Sequence, residues 1–185
     1  PLPFVTDEDL EFAVEKIMRP MAAAMVAEGV PFHGVLYGGL MKTPEGVKVI
    51  EFNARFGDPE TEVILPRIAS DIYDIFSTVA AGGSECEVKW SDKAVVGVVL
   101  ASKGYPGDYA KGFEISGLEK LEGARVYHMG TARRDDKLQT AGGRVMIVVA
   151  EGDDASEARK VVYRNIEQIE CDNLFYRKDI GKKYI

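Results

Sequence analysis

Apolar residues recur at helical spacing along the start of the chain, at Leu10, Val14, Ile17, Met18, Met21 and Met25, which marks one side of a helix. Thr6 followed by Asp7, Glu8 and Asp9 predicts its start: a capping hydroxyl, then acids in the electropositive first turn. Gly29 predicts its end, and Pro20 predicts a kink or a division in two. The period then shortens to two, giving strands over 34–41 and 47–56 joined through Thr43-Pro44-Glu45-Gly46 as a hairpin. From 59 to 80 helical spacing returns. Val63, Ile64, Ile68, Ile72, Ile75, Phe76 and Val79 turn inward, and Gly82-Gly83 closes the element.

From Glu87 the texture changes. A β-rich run over 94–101 enters the loop Ser102-Lys103-Gly104-Tyr105-Pro106-Gly107. Short strands are predicted over 114–116, 124–129 and 144–151, with turns at 134–137 and 142–143. A helix over 155–169 carries Ala158, Val161, Val162, Ile166 and Ile169 inward, and a charged tail, 177–185, follows. The pattern predicts an α+β chain of two domains, an α+β half over 1–90 and a mostly β half over 91–185, with the boundary near 84–93.

The chain has 185 residues, 46% hydrophobic and 29% charged, which is ample for a buried core. Its net charge of −7 argues against a general role on nucleic acid or on an anionic membrane surface. No apolar run approaches the roughly 18 residues of a membrane span. Cys86 and Cys171 are isolated, without metal-ligand spacing, and two free thiols fit a reducing cytoplasm. The start, PLPFVTDEDL, has neither an initiating Met nor a secretory leader, so an upstream part is expected to be absent.

The string EFNARFGDPETE at 51–62 concentrates the chemistry. Within a strand, Glu51, Asn53 and Arg55 fall on one face, while Ile50, Phe52 and Ala54 fall on the other and suit a core. A carboxylate and an amide oxygen on one face suit a hard octahedral Mg²⁺, and a guanidinium beside them suits phosphate. Gly57, Asp58 and Pro59 then turn the chain. The alternatives are bland: a solvated polar face for Glu51 and Asn53, a surface ion pair with Glu60 or Glu62 for Arg55, and a local turn bond for Asp58. The pattern reads as at least half of a site for a nucleotide triphosphate.

The run 34–65 resembles the C-terminal part of the ATP-grasp domain of the phosphoribosylamine–glycine ligase family. RFGDPET at 55–61 carries the likeness, and GYPGDY at 104–109, HMGT at 128–131, GGRV at 142–145 and YRKDIG at 176–181 extend it along the chain. The resemblance implies the C-terminal lobe of an ATP-grasp domain, an antiparallel sheet with helices. A small β-rich, barrel-like domain, a rudimentary hybrid motif, follows. It also implies a reaction: ATP and Mg²⁺ (or Mn²⁺) support the joining of glycine to 5-phosphoribosylamine through an acyl phosphate in purine biosynthesis.

On that resemblance Glu51 and Asn53 are metal ligands, Arg55 reaches the transferring phosphoryl group, and Asp58 anchors an amino group of glycine or of the ribosylamine. Ile50 packs on adenine or in ordinary core. Gly104, Tyr105, Pro106 and Arg177 are candidate substrate contacts, and His128 is expected to be structural. The strand opposite Glu51 offers no carboxylate, which leaves a second metal's ligands open. The Gly-rich phosphate loop and the first half of the grasp have no counterpart here. The chain therefore resembles the last two-fifths of such a ligase, with the N-terminal part of the same enzyme as its necessary partner. Two other readings stay open: another ATP-grasp ligase or carboxylase, and a non-catalytic module derived from this family.

Overall fold

The computed structural model describes residues 4–83 and 86–182. The first three residues, residues 84–85 of the expected boundary and residues 183–185 of the expected tail lie outside these. In chain order the elements are α1 (Asp7–Phe12), a π-helical segment (Ala13–Met18), α2 (Arg19–Ala27), β1 (Tyr37–Thr43), β2 (Gly46–Asn53), α3 (Thr61–Ile64), α4 (Ile72–Ala80), β3 (Ala94–Ser102), β4 (Arg125–His128), β5 (Thr131–Arg134), β6 (Lys137–Thr140), β7 (Arg144–Gly152), α5 (Ala155–Ile166) and β8 (Leu174–Phe175). They group into two compact units, Pro1–Gly57 with Ser70–Val88, and Asp58–Ala69 with Lys89–Ile185.

In the first unit, Thr6 caps α1 as predicted. Its hydroxyl accepts from the Asp9 N–H while the Asp9 carboxylate accepts from the Thr6 N–H, a reciprocal pair that satisfies two donors left over at a helix start. Around Pro20 the helix runs as α1, the π-helical segment and α2, with Pro20 in the first turn of α2. The chain absorbs its missing N–H just upstream, where the Arg19 N–H donates to the Val14 carbonyl, five residues back, and the helix widens to a π turn. The apolar stripe is not a closed core: Leu10 and Val14 are 41% and 44% exposed. β1 and β2 form the expected antiparallel hairpin, with Thr43 paired to Gly46 across Pro44-Glu45. The second strand ends at Asn53, short of the predicted residue 56.

The single helix expected over 59–80 is instead two. α3 tightens into a 3-10 turn at Leu65–Arg67, where Pro66 interrupts the ladder, and Ile68 goes extended to bridge with Trp90. Asp71 then caps α4, its carboxylate accepting from the Tyr73 N–H. Trp90 is 53% exposed.

The second unit is built on an antiparallel sheet in the order β4-β7-β3-β8. Residues 145–150 of β7 are all buried, because α5 covers one face of β3 and β7 while α3 packs against the same two strands. Val98, Leu100, Met146 and Val148 meet Ala158, Val162 and Ile166 of α5 in this core. β5 and β6 form a separate hairpin through Asp135 and Asp136, both at positive φ, the conformation a two-residue turn requires. The strand predicted over 114–116 amounts to isolated bridges, Glu114 with Gln139 and Ser116 with Glu170.

Candidate functional site

The β1–β2 hairpin sets out Glu51 and Asn53, the candidate metal-ligating pair. Tyr37 pairs with Asn53 and Gly39 with Glu51, but Leu40 pairs with Val49. Ile50 is therefore an extra residue, a β-bulge that breaks the alternation. Glu51 and Asn53 remain two apart on one face, and the Asn53 Nδ2 donates to the Glu51 Oε1 at 3.0 Å. That bond holds the two side chains together on the face. Two hard oxygen donors on an accessible face fit a divalent ion that keeps waters and phosphate oxygens as its other ligands. No third acid joins them: among the described residues no cluster of three or more His, Cys, Asp or Glu could hold a metal.

The bulge and the early strand end change the surroundings of this pair. Ile50 is 62% exposed rather than packed in a core with Phe52 and Ala54. Arg55 lies beyond β2, so the strand rule no longer fixes its face. Its guanidinium donates to the Phe56 carbonyl at 2.7 Å, and the residue is exposed.

Asp58, in the second unit, is held by a residue far along the chain. Arg144 Nη1 donates to the Asp58 main-chain carbonyl and Nη2 to its Oδ2, both at 2.9 Å. Arg144 opens β7 at the Gly142-Gly143 turn, where the predicted loops converge. The Ser102 hydroxyl donates to the Gly142 carbonyl at 2.8 Å, and the Ser102 N–H to that of Gly143 at 2.7 Å. A Cβ on Gly143 would fall 2.2 Å from the Tyr105 ring, so only glycine admits that stacking. The Gly130 carbonyl accepts from the N–H groups of Ala141 and Gly142.

The sequence relationships agree with this geometry. The family model for phosphoribosylglycinamide synthetase, ATP-grasp (A) domain, matches residues 1–61, and that for its C domain matches residues 95–183. A phosphoribosylamine–glycine ligase of Halalkalibacterium halodurans is 50% identical over the whole chain, and one of Caldanaerobacter subterraneus subsp. tengcongensis is 49% identical. The chain belongs to the phosphoribosylglycinamide synthetase family. It spans less than half the length of these relatives, 43% and 44%. The crystal structure of the phosphoribosylamine–glycine ligase of Thermotoga maritima superposes with a TM-score of 0.79 at 32% identity, over 97% of this chain and 44% of that one. The biotin carboxylase domain of a thermophilic 2-oxoglutarate carboxylase shares the fold alone, at 14% identity and a TM-score of 0.64, over 100% of this chain and 44% of that one. The fold is thus a mixed α/β one with antiparallel sheets, similar to ATP-grasp enzymes.

As a synthetase-family chain, it spreads its remaining candidates over the second unit. Gly104, Tyr105 and Pro106 form the turn that packs on Gly143. Arg177 is committed to Asp179 through two hydrogen bonds, Nε–Oδ1 at 3.0 Å and Nη2–Oδ2 at 2.6 Å. The YRKDIG segment is not a free tail: Arg159 donates to the carbonyls of Lys178 and Ile180, and the Tyr163 hydroxyl donates to that of Arg177. His128 Nδ1 lies 3.0 Å from the Thr131 hydroxyl. Sequence reasoning missed Arg144. Its signal was a guanidinium at the head of a strand whose next six residues are apolar and buried.

Proposed function

We propose that the chain is the C-terminal portion of an ATP- and divalent-metal-dependent ligase that joins glycine to 5-phosphoribosylamine. In this reading residues 1–90 close an ATP-grasp domain, and 91–185 form a small, barrel-like C-terminal domain. The fragment alone is inactive and needs the N-terminal part of the enzyme. The single observation that carries the reading is the Glu51–Asn53 oxygen pair on the open face of β2, in a chain of this family.

Glu51 and Asn53 would hold Mg²⁺ or Mn²⁺, which when bound neutralises charge on the ATP phosphates. Arg55 steadies the γ-phosphoryl group as a glycine carboxylate oxygen attacks it and ADP leaves. The ribosylamine nitrogen then attacks the acyl carbon of glycyl phosphate, inorganic phosphate departs and the amine loses a proton. Asp58 anchors the amino group of one substrate. Ile50, exposed on the bulge, packs on adenine. Gly104, Tyr105, Pro106 and Arg177 are secondary substrate contacts. The work belongs in the cytoplasm, where purine precursors are made, and calls on neither nucleic acid nor membrane. Among the described residues no helix is long and apolar enough to cross a membrane.

Phosphate release by the full-length enzyme carrying this chain tests the reading. The expected result is ADP formation that needs both glycine and phosphoribosylamine, with this chain alone inactive. Turnover with bicarbonate in place of glycine would overturn it in favour of a carboxylase. Tight association of this chain with its N-terminal part without any turnover would favour a binding module.

A further inference from the structure

We infer that Arg144 is a positioning residue for the ligase reaction, fixing Asp58 so that its carboxylate stays open to the amine of a substrate. The inference rests on the proposed function and deepens it by giving the C-terminal unit a specific task.

The geometry is a fork. Arg144 takes the Asp58 carbonyl with one nitrogen and Oδ2 with the other, each at 2.9 Å, which fixes both the backbone and the rotamer of Asp58 at once. A lysine presents a single point charge and cannot make both bonds in a planar arrangement. The Asp58 side chain is 46% exposed even with the fork in place. Oδ2 is tied down while the side chain as a whole keeps access to solvent, where an ammonium or amine donor can approach the carboxylate. Asp58 follows Arg55 by three residues in the chain.

Arg144 is itself held from several directions. Its strand pairs with β3 through a register shift, with Met146 opposite Leu100 but Arg144 opposite Ala101, which leaves Val145 as the extra residue and re-aims the strand end. Tyr105 stacks on Gly143, Ser102 bonds Gly142 and Gly143, and Gly130 accepts from Gly142. Three strings, GYPGDY, HMGT and GGRV, thus meet around one guanidinium whose far end grips the fourth, RFGDPET. A surface ion pair of ordinary worth does not require such a mount.

Kinetics of the full-length enzyme with Arg144→Met, Arg144→Lys, Asp58→Asn and the Arg144→Met/Asp58→Asn double variant test this. Arg144→Met is expected to raise KM for glycine or phosphoribosylamine, or to lower kcat, by roughly 10- to 100-fold. KM for ATP should stay within about twofold. Arg144→Lys recovers little, because the fork is lost. The double variant should be no worse than Asp58→Asn, since Arg144 acts through Asp58. Equal losses for ATP and amine, or additive losses in the double variant, would overturn the inference. If Arg144→Met does not fold, the lysine variant and its cycle with Asp58→Asn decide on the same criteria. An unsubstituted enzyme with no glycine-dependent turnover would refute the ligase reading instead, and wild-type kinetics in Arg144→Met would refute only the role of Arg144.

Discussion

Gly39 stands directly across the hairpin from Glu51, and a Cβ added to it would lie 3.1 Å from the Glu51 Cγ. The absence of a side chain there gives the Glu51 carboxylate its room beside Asn53. A β-branched residue suits a strand, so Gly39→Val is expected to keep the hairpin but push Glu51 aside. Divalent-metal affinity of the full-length enzyme, followed by calorimetry with ATP present, should fall about tenfold or more. Unchanged affinity would mean that Glu51 has other room to move.

A second expectation concerns Asn165, 2% exposed within α5. Its Oδ1 accepts from the Glu122 N–H at 2.7 Å, and its Nδ2 donates to the carbonyls of Glu122 and Val161. This one side chain replaces the strand partners that the loop before β4 lacks. Asn165→Leu leaves the part-buried Glu122 N–H and carbonyl without this partner, at about 2 kcal/mol. Thermal unfolding should drop by roughly 4–8 °C, with catalytic constants of the folded enzyme unchanged.

Asp9 ties the first helix to the hairpin. The Lys42 ammonium hydrogen-bonds its carboxylate at 2.5 Å, and with the Thr6 bonds this lowers its pKa from 3.8 to about 2. The folded-state value is depressed, so the stabilisation is fully present above pH 3.8 and is lost as pH falls through about 2. The Asp9 carboxyl signal in NMR should titrate with a midpoint near 2 in the native chain. In Lys42→Met it should move back toward the ordinary aspartate value.

The YRKDIG segment depends on α5. Arg159 sits 4.4 Å above the Tyr163 ring, and the Tyr163 hydroxyl both donates to the Arg177 carbonyl and accepts from the Ile180 N–H. Tyr163→Phe removes both bonds at a cost of about 1–2 kcal/mol. Amide exchange at Ile180 should quicken by roughly tenfold or more, while amides in β7 keep their protection.

The long elements were legible because each has one dominant period. The hairpin, β3, β7 and α5 follow from alternation or helical spacing, and Thr6 announced the first cap. What escaped was decided by single backbone groups. Pro20 removed one N–H and produced a π turn, Pro66 ended α3, and the unpaired Ile50 turned a strict alternation into a bulge. Glu51 and Asn53 kept their shared face because both lie on one side of that bulge. Arg55 lost its assigned face because β2 stops before it. The Asp58–Arg144 fork spans 86 residues of sequence, a distance that periodicity cannot see.

The pairing of Glu51 and Asn53 as ligands for the nucleotide's metal can be tested by Mn²⁺ binding, read by electron paramagnetic resonance in the full-length enzyme with ATP present. The expected result is that the unsubstituted enzyme holds Mn²⁺ and that Glu51→Gln and Asn53→Leu each weaken it by roughly 10- to 100-fold, with the chain still folded. Mn²⁺ binding that is the same in all three proteins would contradict the assignment.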